Sequence, residues 1–181
     1  MLIYILSTHK IIKSIPINVV LFGLMLSLNS CAIGFNISNE AITSTITHEF
    51  TIHQDAPKLE QIDHANPGAS HGDEVFFTAS IKDHKGNEGL LHGALKTLSA
   101  NHPIDENFVE LKSGQLIFSF DNYQLMVMGR TDYELNTPEM NVDNQQVRAV
   151  IGGTGKMIGA RGQVVTTKNP DGTYTHHFEI L

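Results

Sequence analysis

From Thr43 onward, polar and apolar residues alternate with the period of two that marks a half-buried strand. Between Thr43 and His53, the residues Ile46, His48, Phe50 and Ile52 share one face, and Thr47, Glu49 and Thr51 share the other. Glu74 to Ile81 is rich in strand formers. Gly89 to Leu98 is a weaker strand, because its Leu, Ala and Lys also suit a helix. Gln115 to Phe120 and Tyr123 to Thr131 flank Asp121-Asn122, a tight hairpin turn. Gln146 to Ile151 and Gly162 to Thr167 flank a glycine-rich connection, and Thr173 to Ile180 closes the chain after the turn Asn169-Pro170-Asp171-Gly172. Ala56–Ala69, Asn101–Asn107 and Leu135–Asn144 read as polar loops. No long segment has helical periodicity. The pattern predicts an all-β domain of about eight strands, a barrel or a sandwich.

The first thirty residues follow a different pattern. Met1 to Ser14 carries Lys10 and Lys13 and no acid, and Ile15 to Leu28 is an apolar run. That run has the length of a secretory core and falls short of the ~20 residues a membrane helix needs. Residues 1–30 read as a signal peptide, 31–42 as a tether and 43–181 as the β domain. Leu28-Asn29-Ser30-Cys31 resembles the bacterial lipobox, which implies lipidation at Cys31 and an exported lipoprotein anchored to the outer membrane and facing the periplasm. The alternatives are a cleaved signal peptide with Cys31 as a bystander, giving a secreted protein, and an uncleaved anchor.

Composition narrows the partners. The net charge is -7, and removing the leader with its two lysines makes it -9. Such a surface repels a phosphate backbone, so no nucleic acid is expected. With one cysteine, no internal disulfide forms. No metal site is expected either. His176 and His177 are adjacent on a strand and point to opposite faces, and no HxH or HExxH spacing occurs. Gly152-Gly153-Thr154-Gly155-Lys156 is not a phosphate loop: Val150 stands where that loop needs Gly, and Met157 where it needs Ser or Thr. Hydrolytic nucleophile chemistry is not expected, and the one cysteine lies in the leader region. Polar groups set in or beside apolar strands remain. Arg130 ends VMGR, Arg161 sits in GARGQV, Asp73 and Glu74 open the EVFF strand, and Tyr123 opens another. Each is either a ligand contact or a structural pair.

Four blocks, in order, resemble one group of proteins. His71-Gly72-Asp73-Glu74-Val75-Phe76-Phe77 looks like the strand that opens dirigent and allene oxide cyclase barrels. Gly89–Leu95 and Leu125–Arg130 resemble two further dirigent strands, and Val150–Val164 (VIGGTGKMIGARGQV) is similar to the dirigent GGTG…ARG stretch. The resemblance implies an eight-stranded antiparallel β-barrel with an apolar cavity, no cofactor and a homotrimer. It implies a pocket role for Arg161 and an acid at Asp73; Arg130, read from its place at the end of an apolar strand, is a further candidate ligand contact, and Tyr123 a second candidate for handling a proton. Lys156 departs from the pattern, since dirigent proteins often carry an acid there. Three readings follow: a barrel that binds a small hydrophobic molecule, a cofactor-free isomerase or cyclase with dirigent-like steering of a reactive intermediate, and a structural envelope protein with a filled barrel.

Overall fold

The computed structural model describes residues 45–64, 67–104 and 107–181. The leader, Cys31 and the tether lie outside the described residues. Nine strands appear: β1 (His48–Gln54), β2 (Lys58–Ile62), β3 (Glu74–Asp83), β4 (Glu88–Ile104), β5 (Asn107–Phe120), β6 (Tyr123–Glu134), β7 (Gln145–Gly155), β8 (Gly162–Lys168) and β9 (Tyr174–Ile180). Every strand pairing is antiparallel.

The sheet closes on itself. From β3 to β9 each strand pairs with the next in sequence, and β1 pairs with both β9 and β3. β2 continues β1 along β3. Gln54 faces Ile81 and Lys58 faces Thr78, so the β1–β2 stave takes one residue more than β3 between these pairs. That extra residue bends the stave, as a bulge does. The result is an eight-stranded antiparallel barrel, as the pattern and the resemblance predict.

Two loop assignments change. Ala56–Ala69 contains β2, whose Leu59 is its one residue that is not exposed; so short an edge strand leaves little alternation to read. Of Asn101–Asn107, the described residues Asn101–Ile104 belong to β4 and Asn107 to β5, a pair whose register shifts at Thr97, Ser99 and His102 break the alternation.

Closure fixes which residues point inward. In the half of the barrel near the β5–β6 hairpin, rings fill the interior. Phe50 stacks on Phe178 with centroids 5.0 Å apart, and Phe118 meets Phe178 edge-on at 5.1 Å. Ile52, Leu91, Leu125 and Val164 pack around them, each at most 1% exposed. A side chain at Gly93 would collide with the Phe77 ring, so glycine there makes room for that ring. The other half is lined by Gln54, Thr97, Glu110, Lys112, Thr131, Gln146, Arg148, Thr166 and His176, all buried.

Strand β7 turns its apolar face out. Gln146, Arg148 and Val150 point inward, while Val147 and Ile151 are 52% and 55% exposed. Met126 faces Gly152 and Val127 faces Val150, so Ile151 is the unpaired residue of a bulge.

Phe178→Ala is expected to cost about 3–5 kcal/mol, measured by urea unfolding, because the ring-packed half cannot collapse onto the gap. Ile158→Ala, on a side chain 81% exposed, is expected to shift stability by less than about 0.5 kcal/mol.

Candidate functional site

The polar half holds two cavities among the described residues: one of about 190 Å³ beside Thr97, Glu110 and Lys112, and a smaller one of about 40 Å³, lined on one side by Leu59, Phe77, Leu95, Leu116 and Met140. The other side presents Gln54, Tyr133, Arg148, Thr166, Tyr174 and His176. Residues 135–144 roof it, with Met140 only 5% exposed. The roof is tied down by polar bonds. The Asn136 N–H donates to Glu110 at 2.6 Å, Lys112 Nζ donates to the Thr137 carbonyl at 3.2 Å, and the Tyr174 hydroxyl donates to Glu139 at 2.6 Å.

Arg148 is the centre of this half. Gly114 and Gly129 face each other across β5 and β6. A Cβ on Gly114 would lie 3.1 Å from Arg148 Nε, and one on Gly129 would lie 3.1–3.2 Å from Arg148 Cγ, Cα and Cβ. The glycine pair thus leaves the volume the arginine occupies. Its hydrogen bonds all leave from Nη2, to Gln146 Oε1 at 2.8 Å, Thr131 Oγ1 at 3.2 Å and the Tyr133 hydroxyl at 3.3 Å. Nε is buried with no partner. Among the described residues no carboxylate lies within ion-pair distance of it. Burial lowers its pKa from the usual value, with Tyr133 acting against that.

The neighbouring charges are spoken for. Lys112 and Glu110 pair at 2.9 Å, and Lys168 and Glu139 at 2.8 Å. Burial works against the Glu139 charge, but the bonds from Lys168 and Tyr174 outweigh it and hold the carboxyl below the usual range. His176 is fully enclosed. Burial, with the Arg148 charge nearby, pushes its imidazole down to about 3. In that neutral form Nε2–H donates to Gln54 Oε1 at 2.8 Å, and Nδ1 accepts from the Thr166 hydroxyl at 2.9 Å.

The residues predicted from sequence do not gather here. Tyr123 lies in the apolar half, where its hydroxyl donates to Asp83 at 3.4 Å and Lys156 Nζ sits 4.0 Å from its ring centre. Burial, with the Asp83 charge beside it, raises its pKa, so the phenol is a donor and not a base. Asp73 closes the turn before β3, accepting from the Ser70 N–H at 2.7 Å, its hydroxyl at 2.7 Å and the His64 N–H at 3.1 Å. Arg130 is exposed on the outer face, 3.7 Å from Asp132. Arg161 is exposed beside β8, and its carbonyl accepts from the Leu181 N–H at 2.9 Å. Gly68-Ala69-Ser70-His71-Gly72 spells G-x-S-x-G, against the expectation of no hydrolytic nucleophile. Its context differs from a nucleophile elbow: no helix follows, and Ser70 Oγ donates to Asp73 while His71 Nδ1 bonds to the Leu98 carbonyl at 2.7 Å. No group of His, Cys, Asp or Glu among the described residues is arranged to hold a metal ion.

Arg148 was missed, although its signal was the one that pointed to Arg130: a charge flanked by apolar residues within a strand. Parity alone separates them, because Arg148 faces in and Arg130 faces out.

Comparison with solved structures agrees with the fold. Pyocyanin demethylase matches with a TM-score of 0.56 at 15% identity, over 74% of this chain and 98% of that one. The Diels–Alderase AbmU from Streptomyces koyangensis matches with a TM-score of 0.50 at 17% identity, over 72% of this chain and 61% of its own. The pterocarpan synthase dirigent protein GePTS1 matches with a TM-score of 0.44 at 17% identity, over 74% of this chain and 80% of that one. No protein-family model matches the chain, and no curated protein matches it. At these identities the likeness concerns architecture. The protein is a closed antiparallel β-barrel with a buried arginine at its polar end.

His176 sets a pH response. The unfolded chain takes up a proton near the usual 6.5, which the folded chain refuses until about 3. Its contribution is therefore fully present above that usual value and is lost as the pH falls. The urea midpoint is expected to drop between pH 7 and about 5, above the range where carboxylates titrate, and His176→Gln is expected to flatten that part of the slope.

Proposed function

We propose that the chain is a binding barrel that takes a small hydrophobic molecule into the polar end, beneath residues 135–144. The observation that carries this reading is the cavity there, with apolar walls on one side and a cluster of hydrogen-bonding groups on the other. The opposite half is packed with rings, and the cleft there, about 270 Å³, lies among Phe50, Asp83, Tyr123, Lys156 and Met157. Pyocyanin demethylase and AbmU share the barrel and are named for reactions of small organic molecules.

The cavity, about 40 Å³, is close to the ~30 Å³ share of one water and far below the ~300–1,000 Å³ of drug-sized sites. Uptake therefore requires Met140 and Pro138 to move aside. The roof suits that role: residues 136–139 are held by side-chain bonds, a single backbone bridge ties Val142 to Lys168, and Asn136 and Asp143 near its two ends adopt positive φ. Binding is favoured over isomerase chemistry, because no free acid or base lines the cavity. Glu139 is held by Lys168 and Tyr174, and both nitrogens of His176 are bonded. A neutral dye such as N-phenyl-1-naphthylamine is expected to bind, and Met140→Ala, which widens the cavity, to bind it several-fold tighter. If neither form takes up the dye, the barrel is filled by its own side chains and the structural reading replaces this one.

The leader and Cys31 support a place on the outer membrane facing the periplasm, where apolar molecules are plentiful. The outer face supports self-association, as the trimer of the resemblance implies. Phe76, Ala94, Gln115, Met128 and Ala149 form an uncharged row across β3–β7, flanked by exposed Ile117, Val147 and Ile151. Native mass spectrometry of protein from its host is expected to give a trimer bearing acyl mass on Cys31. A Cys31→Ser form is expected to lose that mass and leave the membrane fraction; retention of the mass sinks the lipidation.

A further inference from the structure

The polar half contains one charge that the fold leaves unanswered. A guanidinium keeps its proton at neutral pH. Burying one away from water without a counter-ion is strongly unfavourable. Arg148 is 4% exposed, yet its acceptors are an amide, a hydroxyl and a phenol, all neutral. Nη1 and Nε make no hydrogen bond to the described protein, and Nε is buried. The two carboxylates of this half are each occupied by a lysine, Glu110 by Lys112 and Glu139 by Lys168. His176 is held neutral between Gln54 and Thr166. The two glycines at 114 and 129 clear the space for this one side chain.

We propose that Arg148 is the seat for a carboxylate on the bound molecule, so that the ligand is a hydrophobic monocarboxylic acid. This rests on the uptake reading above and specifies its ligand. Arg148 lines the cavity, and a carboxylate there can take one bond from the unused Nη1 and a second from Nη2, whose two hydrogens are shared among three neutral acceptors in the unliganded barrel. The chain attached to that carboxylate would lie along Leu59, Phe77, Leu95, Leu116 and Met140, which share the cavity. One positive charge matches one negative charge. A dianionic phosphate would bring a second charge that no free cation answers, against Leu95 and Leu116. A neutral alcohol would leave the guanidinium as it stands in the empty protein.

The test compares decanoate with decanol at pH 8, as competitors for the neutral dye and as agents that raise the melting temperature of the full chain. Charge-assisted bonds to a buried group predict that decanoate competes at a concentration about ten-fold lower or less. Arg148→Met keeps the volume and removes the charge; it is expected to bind the dye and lose the preference. Arg148→Lys is expected to recover part of it. Equal competition by decanol and decanoate in the wild type overturns the proposal while leaving dye uptake, and so the binding reading, intact. A preference that survives in folded Arg148→Met also overturns it. Failure of the dye, decanoate and decanol alike overturns both readings together. Should Arg148→Met fail to fold, the wild-type comparison decides alone.

Discussion

Everything in this barrel depends on β1 pairing with two partners. It hydrogen-bonds β9 on one side and β3 on the other, and β2 extends it along β3 past a one-residue bulge. That closure removes the sheet's free edges and sets the parity of every strand. Once parity is set, each strand must bury one of its two faces whatever residues that face carries. β7 shows the consequence. Its apolar Val147 and Ile151 are turned outward and its Gln146 and Arg148 inward, because the register with β6 and β8 allows no other choice.

A polar set forced inside needs partners, and the structure supplies them unequally. Lys112 and Glu110 answer each other, and His176 is satisfied as a neutral ring. Arg148 receives only neutral acceptors. The ring-packed half makes this arrangement tolerable. Phe50, Phe118 and Phe178, with the aliphatic residues around them, bury enough apolar surface to hold the barrel. The other half is then free to carry polar groups in place of a packed apolar core, which is where natural proteins commonly depart from the best-packed solution.

The fold was legible because its signals are local. The eight staves, the Asp121-Asn122 hairpin and the Asn169–Gly172 turn each occupy a few consecutive residues. β2 was not legible, since Lys58–Ile62 is a strand only by virtue of its bonds to β3. The candidate site was largely hidden for a related reason. A charge within an apolar strand signals burial only when the inward face is known, and in this barrel both faces carry apolar residues. Arg130 and Arg148 look alike in sequence and differ by parity. Arg161 sits between glycines at a turn, and its side chain is exposed. The Arg148 environment is assembled from β5, β6 and β7 together with the Gly114–Gly129 gap, a combination no short segment displays.

The position of Lys156 bears on the choice between binding and catalysis. This chain places Lys156 over the Tyr123 ring, in the ring-packed half. Asp83, the carboxylate there, is occupied by its own turn, with the Lys85 and Asn87 amides at 2.9 Å. Any proton-transfer pair built on Tyr123 and Asp83 therefore lies in the ring-packed half, remote from Arg148, and faces a phenol whose pKa is raised. Among the described residues, the ionisable groups near Arg148 (Tyr133, Glu139 and His176) are already bonded. The two ionisable clusters are thus split between the halves of the barrel. Such a division keeps the adjacent Tyr123–Asp83 pair in one half of the barrel and the buried arginine in the other.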